Sequence, residues 1–205
     1  MAVPPTLRQA VERAQAALEQ HPEHLLLPIY RQAIYRAFAV HDDPSQRRAR
    51  ALLAVLTARH VLPIWQHEQP DDHLPERLLA TADGVMAGQV APAQAETIFQ
   101  EAWEWLPQLR VEQWGKSEAH HAGTAAVFAL QEVLGEESFD NASIGEEETD
   151  GDYLDPTCSD TAMWAAAACA GPSWDRTYDV AKGREFWTWW LHEAIPLAWD
   201  SVASA

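Results

Sequence analysis

From Pro44 to His67 the apolar side chains recur at the spacing of one helix face, and that spacing limits what the chain can become. At about 100° per residue, Ala49, Leu52, Leu53, Leu56, His60, Pro63 and Ile64 share a side, with Arg47 and Arg50 opposite. The same period runs through every patterned segment. Residues 6–20 read as a helix with Thr6 as N-cap, and 23–40 as a second with Pro28 near its start. Pro44 suits the first turn of the long third helix, and Pro63 predicts a kink in it by removing one backbone hydrogen bond. After the break PDDHLPE a fourth helix runs to about Gly88. Residues 92–113 form a fifth, with Ala95, Ile98, Phe99, Ala102, Trp105, Leu106 and Leu109 on one face. Residues 117–135 form a sixth. An Ala-rich helix capped by Ser159 or Asp160 stops at Gly171-Pro172, and the last runs about 180–200. No segment alternates with period two. The expected fold is therefore all-α: one domain over residues 1–205, a bundle of about seven or eight helices with one long acidic loop at 136–159.

Charge narrows the partners. The formal net charge is −17 and unevenly placed. Residues 1–60 carry eight Arg against five carboxylates, whereas the rest carries six Lys or Arg against 26. From Ser117 to Asp175 there is no Lys or Arg. Such a surface repels nucleic acid and anionic membranes and attracts something basic. The bland alternative is that the acids only confer solubility. The start MAVPPTLRQAVERA has no apolar signal segment, no stretch reaches the length of a membrane span, and Cys158 and Cys169 are expected to be reduced. These features point to a cytoplasmic protein.

Catalytic and metal signatures fail on inspection. His60 and His67 lie about 10 Å apart by helical rise, too far to share an ion, and His60 among leucines reads as a core histidine. Glu118-Ala-His-His121 holds one Glu-x-x-His where a di-iron bundle needs two. Asp150, Asp152 and Asp155 begin like a calcium loop, but Leu154, Asp155 and Thr161 occupy its fifth, sixth and twelfth positions. Asn141-Ala-Ser143-Ile-Gly145 half resembles a nucleophile elbow and precedes no helix. No metal, no cofactor and no catalytic residue is expected.

The C-terminal run FWTWWLHEAIPLAW is the most informative segment. In a regular helix Phe186, Trp187, Trp190, Leu191, Ala194, Ile195, Leu197 and Ala198 cover an apolar face. Glu185, Thr188, His192 and Trp199 lie opposite, with Trp189 and Glu193 at the boundary, and Pro196 predicts a bend. Trp189 and Trp199 are then either interface anchors or packed on a neighbouring loop.

Three segments carry a family resemblance: Arg47–Gln66, Ala122–Gly135 and Ala165–Trp199, the last with the pattern Phe-Trp-x-Trp-Trp-Leu-x-Glu-Ala-x-Pro-x-Ala-Trp. They resemble the fifth of the numbered immunity-protein families of bacterial polymorphic toxin systems, over most of the chain beyond residue 40. The resemblance implies an all-α cytoplasmic protein that binds and neutralises a toxin, without catalytic residues. Charge adds that the toxin is basic, a nuclease being one such class, and that the binding residues are Glu146, Glu147, Glu148, Asp150, Asp152 and Asp155, with Trp189 or Trp199 as apolar anchors. The competing readings are a metal-dependent or hydrolytic helical enzyme, and a helical interaction module with a non-toxin partner.

Overall fold

The computed structural model describes residues 3–38, 44–113, 118–135, 139, 142–152 and 159–203. Eight helices account for most of them: α1 Pro5–Gln20, α2 Pro28–Phe38, α3 Pro44–Glu68, α4 Leu74–Met86, α5 Pro92–Gln113, α6 Glu118–Leu134 and α7 Thr161–Ala170. The eighth, α8, runs Val180–Trp189, passes through a π turn at Trp190–Ala194, and continues as Ile195–Ala203. The described residues contain no strand, and no helix among them is long and apolar enough to cross a membrane. The all-α bundle read from the 3.6-residue period is the observed architecture.

Helix ends follow local chemistry, with two departures. Helix α1 starts at Pro5 without a side-chain cap, because proline's fixed φ prepares the first turn and Thr6 is already inside it. Helix α2 starts at Pro28 rather than 23: the residue before a proline avoids helical backbone, and His24 takes φ 49° with its Nδ1 2.9 Å from the Leu18 carbonyl oxygen. For α7 the cap is Asp160, whose carboxylate accepts from the Ala162 and Met163 N–H groups at 2.8 and 3.0 Å. Gly171, at φ 80°, ends it where a side chain would be strained.

Helix α6 is the axis, packed on α3, α4, α5 and α7. Its residues Ala119 and His121 to Gln131 are all buried, so small side chains dominate and neighbouring helices come close. At Gly123 an added Cβ would lie 2.8 Å from Trp65 of α3, whose indole is 2% exposed and donates to the Asp72 carbonyl. Only glycine leaves room there.

Helix α3 departs most from its sequence wheel. It touches α2, α4, α6, α7 and α8, so it is buried on several sides and needs no single apolar stripe. His60, expected in the core, is exposed, as is Pro63. Arg50, expected on the outer face, is 2% exposed. Its guanidinium pairs with Glu132 of α6 at 2.5 Å and lies 5.0 Å from the Tyr35 ring centre. On α5 the expected face is buried at Ala95, Phe99, Ala102 and Leu106, while Ile98 is half-buried; the side chains of Trp105 and Leu109 lie outside the described residues.

The proline bend in α8 takes the form of a π turn. Pro196 has no N–H to give the His192 carbonyl, and the helix widens so that the Ile195 N–H donates to Trp190, five residues back. One extra residue in a turn sets back everything beyond it by about 100°. Trp199, placed opposite the apolar face by a regular wheel, therefore swings inward and is 1% exposed, 6.0 Å from the Phe38 ring. Leu197, assigned to the apolar face, swings outward and is 55% exposed. Trp190 keeps its place, fully buried, with its indole N–H donating to Thr57 Oγ1 of α3 at 3.0 Å.

Candidate partner-binding surface

Helix α2 fastens described residues of the acidic segment, Phe139, Ala142 and Asp150, to the bundle. Gln32 Nε2 donates to the carbonyls of Phe139 and Ala142 at 2.7 and 2.9 Å. Arg31, wholly buried, donates through Nη1 to the Leu26 carbonyl at 2.7 Å, through Nη2 to Asp150 at 2.6 Å, and through Nε to Asp160 at 2.8 Å. The Ser173 hydroxyl adds a longer contact to Asp150 at 3.4 Å. Burial alone would lower the Arg31 pKa, but Asp150 and Asp160 outweigh it and hold the guanidinium charged above its ordinary range. Burial also lifts the Asp150 pKa above the usual carboxylate range, with Arg31 only partly offsetting it. One arginine thus ties α2, the acidic segment and the N-terminus of α7 together.

This geometry sorts the candidate residues. Glu146 and Glu147 are exposed. Glu148 is half-buried and folds back to accept from the Gly145 N–H. Asp150, expected on the binding surface, is instead an internal ligand of Arg31 and 8% exposed. Asp152 belongs to the 3-10 turn Asp150–Asp152, while its side chain and the whole of Asp155 lie outside the described residues. Asp150 has no cation nearby in sequence and finds one 119 residues away.

The two tryptophans also part. Trp199 is in the core for the register reason given above. Trp189 is half-buried, and its indole stacks on the exposed His60 of α3 with ring centres 3.6 Å apart and planes 16° from parallel. The pair sits in an open cleft between α3 and the first part of α8, with Ile64, Glu185 and Glu193 also lining it. His60, Glu185 and Glu193 were not among the candidates read from the sequence, and neither were Arg31 and Gln32. A signal for Arg31 existed: a 59-residue span without Lys or Arg must borrow the cation for any acid it buries, and most of the arginines precede residue 60.

No group of three or more His, Cys, Asp or Glu among the described residues could hold a metal ion. His121 is 4% exposed and stacked near Trp164, with ring centres 5.7 Å apart. Burial, with the neighbouring His120, pushes its pKa down from 6.5 to about 4, against a bond to the Ala167 backbone. The unfolded chain therefore binds a proton below pH 6.5 that the folded chain refuses until about 4. Stability is full above pH 6.5 and falls as pH drops toward 4, by as much as about 3 kcal/mol from this group. Urea titrations across that range should show the fall reduced in His121→Gln; an unchanged pH profile would refute it.

The model of a protein family described as immunity protein Imm5 matches residues 11–197, a span that takes in α2, the acidic segment and the α3–α8 cleft. No curated protein matches the chain.

Proposed function

The chain belongs to the Imm5 family of immunity proteins, and from that premise we propose that it binds a cognate toxin and silences it by covering the toxin's working surface. The family match over residues 11–197 is the observation that carries this reading. The role is binding without catalysis, in the cytoplasm of the cell that makes the toxin or of its kin. A toxin with a basic working surface, of which a nuclease is one class, supplies the complementary charge to a chain of net charge −17. Glu146, Glu147 and Glu148, with Asp152 and Asp155 of the same acidic segment, are proposed to steer that toxin in, and Trp189 to anchor it. Asp150 and Trp199 serve the surface from beneath, by holding the segment and the helix in place.

The test is co-expression with the product of any toxin gene found next to the gene for this chain. Cells should grow, and the two proteins should purify as a complex. Continued killing with no complex would overturn the reading. Replacing Glu146, Glu147 and Glu148 together by Gln should slow association about three- to tenfold at low salt, flatten its salt dependence, and shift stability by less than about 0.5 kcal/mol. Stopped-flow association rates at several salt concentrations check this, and wild-type kinetics would remove the segment from the interface.

A further inference from the structure

We propose that the cleft between α3 and α8 receives a cationic side chain of the partner, arginine or lysine, laid against the Trp189 indole between the carboxylates of Glu185 and Glu193. This rests on the reading of the chain as a binder of a basic protein and names the point where that protein inserts. Glu185 and Trp189 lie four residues apart on the regular part of α8, and Glu193 follows within the π turn. All three line the cleft together with His60 and Ile64. Both carboxylates act electrostatically on the His60 ring, which places them around the stacked pair.

Trp189 is braced before any partner arrives. His60 stacks on its indole, and Phe186 supports it at 5.8 Å between ring centres. An aromatic already fixed in its bound position loses little freedom on binding. Its negative π face, flanked by two carboxylates, favours a cation, and Ile64 offers an apolar wall for the methylene stem. The cleft's own cations do not fill this place. Lys182 and Arg184 line the cleft as well, and Lys182 and Glu185 both act on Cys169, but the two cations are exposed and, among the described residues, neither makes an ion pair with Glu185 or Glu193.

The experiment titrates a hexa-arginine peptide into the full-length protein at about 0.15 M salt, where long-range attraction is screened. The Trp189 indole N–H resonance is identified by its loss in Trp189→Phe. That resonance should shift saturably. Trp189→Ala, and separately the double variant Glu185→Gln with Glu193→Gln, should each weaken binding on the order of tenfold. The triple change of Glu146, Glu147 and Glu148 to Gln removes more charge, yet should weaken it only about twofold. The double Gln variant leaves packing intact, so it decides the matter even where Trp189→Ala folds poorly. A silent Trp189 resonance, no binding by wild type, or affinities that follow only the number of charges removed would overturn the cleft assignment. Failure of the wild type to protect cells from the toxin would instead strike the proposed function.

Discussion

Replacing Arg31 by methionine should lower folding stability by about 3–5 kcal/mol, because it leaves Asp150 and Asp160 buried together without a counter-charge. The loss has three parts. The Leu26 carbonyl loses its donor, the two carboxylates lose their charged donor, and their mutual repulsion in a poorly polarisable interior is no longer opposed. Burial already raises the Asp150 pKa with Arg31 present, and without it the rise is larger. A carboxyl whose folded pKa exceeds its unfolded one takes up a proton on folding. The deficit should therefore be smallest below about pH 4 and grow as pH rises through the raised value. Adding Asp150→Asn to Arg31→Met should recover part of the loss, since the neutral amide needs no cation. Chemical denaturation of the wild type and both variants at two pH values checks the pattern. An Arg31→Met protein of wild-type stability at neutral pH would show that the buried cluster holds nothing.

Trp199→Ala should cost about 3–5 kcal/mol, whereas Leu197→Ser, two residues away, should change stability by less than about 0.5 kcal/mol. The difference comes from the π turn. Trp199 is 1% exposed and meets Phe38, so truncation opens a large cavity beneath α2. Leu197 is 55% exposed and loses little contact. A regular helix through Pro196 would turn Trp199 outward and Leu197 inward, and would give the opposite ranking. Urea midpoints for the two variants separate the registers directly, and a severe Leu197→Ser with a mild Trp199→Ala would mean the π turn is absent in solution.

The local chemistry of the chain settled the number and type of its elements. Apolar spacing near 3.6 residues, prolines at 5, 28, 44 and 92, and glycines at 88, 135 and 171 marked most helix boundaries within a few residues. The Phe-Trp-x-Trp-Trp pattern carried the family as well. Periodicity did not reveal which side of each helix would be buried. Helix α3 lies among five others, so a single-face wheel put His60 inside and Arg50 outside, the reverse of what packing chose. In α8 a one-residue change of turn, forced by Pro196, rotated Trp199 inward and Leu197 outward. The acidic segment read locally as a run of unopposed charge, of which Glu146 and Glu147 remain exposed. Asp150 found Arg31 far away in sequence. A side chain's partners across the core depend on how the helices stack, and burial makes that choice decisive: an apolar face finds a wall, and a buried charge finds an opposite charge or the fold is lost.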